Sequence, residues 1–123
     1  MGLDLPPIPD AAREQILEQL PTMGFIANPL DPWGAADATT AYGAVFEAMA
    51  ASGAYDVLVQ VHDFPYKSMA AEVATADEVT RALLDATRDR PHLLPVYVSL
   101  TSGDPPPETK AVLDEQGLSL IHI

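Results

Sequence analysis

Cysteine is missing from all 123 residues. Its absence excludes disulfides, thiolate metal sites and a cysteine nucleophile, and is compatible with a reducing compartment. Basic residues are scarce as well: 6 Lys and Arg stand against 18 Asp and Glu, for a formal net charge of −12. They are scattered along the chain, so no electrostatic footprint for a phosphate backbone forms and nucleic acid is not an expected partner. Long apolar runs are lacking too, and the opening residues Met1-Gly2-Leu3-Asp4-Leu5-Pro6-Pro7 carry no basic leader. Neither export nor membrane insertion is expected, which leaves a soluble cytoplasmic protein as the expectation. The length suits one domain with a single core.

What the chain does have is alternation of helical and strand-like patterns. A first helix is expected from about Pro9 or Asp10 to Leu20, with Asp10 as N-cap, Ala12, Ile16 and Leu20 on one stripe, and Pro21 as terminator. The second carries Tyr42, Val45, Phe46 and Met49 at i, i+3, i+4 and i+7, with Gly53 placed for a left-handed C-terminal cap. A third is expected to begin at Thr75, which has capping-box spacing to Glu78, and to turn Val79, Ala82, Leu83 and Ala86 inward. The fourth is expected from Asp104, through the prolines at 105 to 107, to Gly117.

Strands are expected at Phe25-Ile26-Ala27, Val57-Leu58-Val59-Gln60-Val61 and over residues 93–100. Their near-continuous apolar character fits a parallel sheet covered on both faces by helices. The fold class is therefore α/β: a flavodoxin-like three-layer sandwich with a mainly parallel sheet of about four strands. Right-handed crossovers would gather the loops after Ala27, Val61 and Leu100 on one rim, the place where ligands and partners meet such folds. The last six residues, 118–123, read in two ways. They form a possible closing strand, and they also match the in-frame translation of a sequencing-adapter end, in which case the native polypeptide would continue past Gly117.

The candidate functional residues fall in the loops of that rim. Asn28-Pro29-Leu30-Asp31-Pro32-Trp33-Gly34 is a turn stiffened by two prolines, which fix φ and remove two backbone donors. Within it Asn28, Asp31, Trp33 and Gly34 are candidates for a loop site or an interface. Trp33, the single tryptophan, reads equally as a lid or interdomain anchor and as packing against the following helix. His62 and Asp63 look like a base with its orienting carboxylate, although adjacent residues on an extended chain point to opposite faces, which favours a packing or interface role. Asp31, Asp63 and Asp104 could gather around a hard cation such as Mg²⁺; turn shaping and helix capping are the simpler roles. Ser99, Thr101 and Ser102 read as turn chemistry, with no base beside them in sequence.

Asn28-Pro29-Leu30-Asp31 after the first strand, then Tyr55-Asp56-Val57-Leu58-Val59-Gln60-Val61, Leu94-Pro95-Val96-Tyr97-Val98-Ser99-Leu100 and Ala111-Val112-Leu113-Asp114-Glu115-Gln116-Gly117-Leu118, carry a family resemblance. Over roughly Leu3 to Gly117 the chain resembles the second flavodoxin-like domain of the ADP-forming acetate:CoA ligases, relatives of succinyl-CoA ligase. The resemblance implies a domain, residues 1–117, of a multidomain NDP-forming acyl-CoA synthetase. In such enzymes the other domains bind CoA and ATP or ADP with Mg²⁺, and one of them carries a phosphorylated histidine. The chain has no Ser-His-Thr-Gly segment of the kind that holds that histidine. It also has His62-Asp63-Phe64-Pro65-Tyr66-Lys67 where the succinyl-CoA ligase relatives have a Gly-Gly turn. Glycines let backbone amides close on phosphate, whereas phenylalanine, proline and an added carboxylate do not. The implied role is thus non-catalytic: framing the phosphohistidine site, with no cofactor bound by this segment alone and the other domains or subunits of the synthetase as partners. The alternative is a freestanding receiver-like or small-ligand-binding regulatory module, with Asp31 or Asp63 in the role of the phosphorylated aspartate.

Overall fold

The computed structural model describes residues 2, 4–62, 70–99, 107–115, 118 and 120–122, with the backbone alone at 70, 108, 109 and 120–122. The elements run α1 (Asp10–Gln19), α2 (Ala38–Ala51), β1 (Val57–Val61), α3 (Ala70–Thr87), β2 (Leu94–Ser99), α4 (Pro107–Glu115) and β3 (Leu120–His122).

Local chemistry explains most of the boundaries. In α1 the buried stripe is Ala12 and Ile16, continued by Leu20 at the C-cap. Pro9, rather than Asp10, occupies the N-cap and offers no side-chain acceptor; Asp10 lies in the first turn, where a carboxylate faces the positive end of the helix. In α2 the Asp37 carboxylate accepts the Thr40 amide at 3.0 Å as a cap, and hydrogen bonding from the Thr40 side chain and then from that amide holds the Asp37 pKa below the usual carboxylate value. Gly53 follows α2 with φ of 65°, the left-handed conformation expected of it.

Helix α3 begins earlier than Thr75. The chain is already helical from Ala70, and the Thr75 hydroxyl donates back to the Ala71 carbonyl at 3.0 Å, as a threonine inside a helix does. Glu78, the other half of the expected capping box, instead accepts the Thr39 hydroxyl at 2.8 Å and ties α3 to α2. Helix α4 starts at Pro107, and the expected start at Asp104 and stop at Gly117 lie outside the described residues.

The described strands form one parallel sheet in the order β1-β2-β3. In register, Val57 faces Leu94, Val59 faces Val96 and Val61 faces Val98, while Leu58 faces Pro95 and Gln60 faces Tyr97. The second set lies under the helices. Phe46, Tyr55, Leu58, Val79, Leu83 and Leu93 form one core cluster between α2, α3 and β1. Tyr97 joins Ala76, Leu113 and Leu118 in another between β2, α3 and α4. Helix α1 packs on α2 through a third cluster that includes Ile8, Ile16, Ile26 and Val45. Arg90 locks the far end of this layer with two hydrogen bonds to Glu47, at 2.6 and 3.0 Å.

Two expectations are corrected here. The sheet is not covered on both faces among the described residues: Val57, Val59, Val61 and Leu94 are 41, 47, 53 and 58% exposed on the side away from the helices. Phe25-Ile26-Ala27 is not a strand. Phe25 is exposed, Ile26 is pinned into the α1–α2 core, and the Ile26 carbonyl is taken by the Arg13 guanidinium at 2.6 Å. The segment is thus tied to α1, and the prolines at 29 and 32 remove two amides from the turn that follows it. Three strands rather than about four are therefore present among the described residues.

Candidate functional site

Because Phe25–Ala27 does not join the sheet, β1 is its terminal strand among the described residues. The Leu94 amide donates to the Asp56 carbonyl at 2.8 Å and the His62 amide donates to the Val98 carbonyl at 3.1 Å. This parity points the backbone groups of the even-numbered β1 residues toward β2, and those of Val57, Val59 and Val61 away from it. A cavity of about 620 Å³ runs along that outer edge, lined by all five β1 residues. Its opposite wall is Asp4-Leu5-Pro6 and Asn28-Pro29-Leu30-Asp31-Pro32, and α2 contributes Tyr42, Val45, Phe46 and Met49. The size is that of an ordinary ligand pocket, and the walls are apolar with a few polar groups.

The proline turn thus lies alongside a strand instead of at the end of one. Asn28, half-buried, donates from Nδ2 to the Pro6 carbonyl at 2.9 Å and clips the N-terminal segment to the turn; the Asn28–Pro29 peptide bond is cis. Asp31 shapes the turn by accepting the Trp33 amide on Oδ1 at 3.0 Å. Gly34 has φ of 83°, a conformation that side-chain-bearing residues rarely adopt. Trp33 is 64% exposed and is not part of the cavity wall, so it neither lids the cavity nor packs tightly on α2. Asn28 and Asp31 therefore share the site, whereas Trp33 and Gly34 flank it.

His62 ends β1 half-buried, its carbonyl accepting the Tyr97 hydroxyl at 2.7 Å. Asp63 lies outside the described residues, as do Asp104, Thr101 and Ser102. The suggested His62–Asp63 pair and the three-aspartate cation site accordingly have one described member each. Among the described residues no group of three or more His, Cys, Asp or Glu is placed to hold a metal ion. Ser99, the last residue of β2, is buried.

The residues that sequence reasoning passed over are Tyr42, Tyr55 and Gln60. Burial raises the Tyr42 pKa above the usual phenol value, and Asp31 beside it adds its negative charge and a hydrogen bond in the same direction. Burial alone raises that of Tyr55, whose hydroxyl donates to the Pro7 carbonyl at 3.3 Å. Gln60 is 2% exposed; its Nε2 donates to the Thr80 hydroxyl at 3.2 Å, while Oε1 is buried without a donor among the described residues. One signal was available, since Gln60 is the polar interruption of an otherwise apolar strand. The site offers binding groups: backbone donors and acceptors on β1 and the carboxylates of Asp4 and Asp31. Among the described residues no helix is long and apolar enough to cross a membrane. Comparison with protein-family models and with curated protein sequences finds no match to this chain.

Proposed function

We propose that this chain is the non-catalytic, flavodoxin-like domain of a multidomain NDP-forming acyl-CoA synthetase of the acetate:CoA ligase type, and that it works docked against neighbouring domains. The observation that supports this reading is the uncovered sheet face. Val57, Val59, Val61 and Leu94 form an apolar stripe on a chain of net charge −12, where such a patch marks a surface meant to be covered. In the proposed assembly another domain of the synthetase covers that stripe and completes the three-layer sandwich. Asn28–Gly34 and His62 are then presented toward the phosphohistidine site, and CoA, the nucleotide and Mg²⁺ are held by the other domains.

The test is an intact synthetase expressed from the coding sequence around this segment, compared with a version lacking residues 3–117. Loss of acyl-CoA-dependent phosphorylation of nucleoside diphosphate, with the remaining domains still folded, is the expected result. Unchanged turnover, or neighbouring sequence without a CoA-binding region and a Ser-His-Thr-Gly loop, would overturn the reading. The receiver-like alternative has less support: Asp31 is engaged in its own turn, and among the described residues no strand precedes it.

A further inference from the structure

The uncovered face and the outer edge of β1 are separate features, and the edge has its own chemistry. Val57, Val59 and Val61 direct three amides and three carbonyls away from β2, and no described backbone group pairs with them. Such groups repeat at roughly 6.6 Å along a strand, the spacing of a second strand's backbone. Edge strands are ordinarily guarded by lysine, proline, a bulge or a covering element. Val57-Leu58-Val59-Gln60-Val61 has no charge and no proline, and among the described residues a cavity rather than an element lies beside it.

We propose that this edge binds an extended basic peptide segment, which adds to the sheet as a strand next to β1 and places side chains in the adjoining cavity. Backbone pairing supplies affinity in this mode, and the pockets for alternate side chains supply selectivity. The preference for positive charge comes from the walls: among the described residues, the charged ones lining the cavity are Asp4 and Asp31, both exposed and both acidic. A second copy of this chain is the poorer occupant, because it would bring another net charge of −12 and a second pair of these aspartates to the same place. This inference stands on the edge and the cavity and does not depend on the synthetase reading.

Fluorescence anisotropy with a labelled peptide tests it. The peptide has about seven residues, alternating valine and threonine flanked by lysines, to exceed the length of β1. Saturable binding is expected, weakened by salt. N-methylation of alternate peptide amides should weaken it about tenfold or more, because it removes backbone donors while leaving charge and composition in place. On the protein, Val59→Pro removes an outward-pointing amide without removing a rung of the β1–β2 ladder, and should give a similar loss with an unchanged circular dichroism spectrum. Asp4→Asn combined with Asp31→Asn should weaken binding and flatten its salt dependence; asparagine keeps an acceptor for the Trp33 amide.

Equal binding of the N-methylated and unmodified peptides would overturn the proposal by reducing the interaction to charge alone. That comparison uses the wild-type chain and remains decisive if Val59→Pro fails to fold. Binding of a glutamate-flanked peptide as tight as the lysine-flanked one, or no binding at millimolar peptide, would likewise overturn it. So would a dimer in sedimentation velocity that Val59→Pro converts to monomer, because the edge would then belong to a second copy.

Discussion

Gln60 and Thr80 form a buried polar pair between β1 and α3, and the two side chains have unequal roles. The Thr80 hydroxyl donates to the Ala76 carbonyl at 2.8 Å and accepts from Gln60 Nε2, while Gln60 Oε1 has no donor among the described residues. Thr80→Val strands the Gln60 amide and is expected to cost about 1–3 kcal/mol. Gln60→Leu removes the amide and its orphan oxygen together, and is expected to stay within about 1 kcal/mol of the parent chain by urea denaturation. Tyr42 and Tyr55 make a second prediction at this scale. Their raised pKa values stabilise the fold fully below the ordinary phenol value of about 10, and that contribution is lost as pH rises through the higher folded-state values. Absorbance titration should therefore show Tyr42 and Tyr55 ionising late, together with alkaline loss of stability. Tyr42→Phe should remove one of the late ionisations, and a titration in which all tyrosines ionise together near 10 would contradict this. The sequence identified Asn28 and Asp31 because proline turns declare themselves locally. It could not reveal that Asp31 sits beside Tyr42, a contact set by how the turn folds back on α2.

Helices and strands were legible to the extent that local rules decided them. The buried stripes of α1 and α2, the cap at Gly53 and the limits of β1 follow from periodicity and glycine chemistry. Thr75-x-x-Glu78 misled because a capping box and a mid-helix threonine share one spacing, and only the helical state of the residues upstream separates them. Phe25–Ala27 misled for a tertiary reason. Its apolar character is used in the α1–α2 core through Ile26, and Arg13 captures the carbonyl that a ladder would have needed. Helix α3 carries the central packing, with Val79 and Leu83 fully buried between α2 and β1. Leu83→Ala is accordingly expected to cost about 2–5 kcal/mol, measured by urea denaturation, with an unchanged helical spectrum in the folded baseline. A cost below about 1 kcal/mol would mean that α3 is not packed between these elements.

At the scale of the whole molecule, the described residues form a stack of helices on one side of a parallel sheet, and among them the other face and the outer edge are open. The valine-rich strands predicted cover on both faces, and the composition of β1 and β2 still fits that arrangement. The second layer is absent among the described residues, so those strands carry apolar side chains toward solvent. Sequence patterning reports what a surface is suited to pack against and does not report whether the same chain supplies it. The docking role rests on the open face, and the strand-binding edge rests on β1 being the last strand of the sheet among the described residues, with alternate backbone groups unpaired. Residue-resolved amide hydrogen exchange on the isolated chain measures this directly. Leu58, Gln60 and His62, whose amides point into the β1–β2 ladder, should exchange slowly, while Val57, Val59 and Val61 between them exchange fast. Uniform protection along β1 would show that its outer edge is already paired, and would contradict the account.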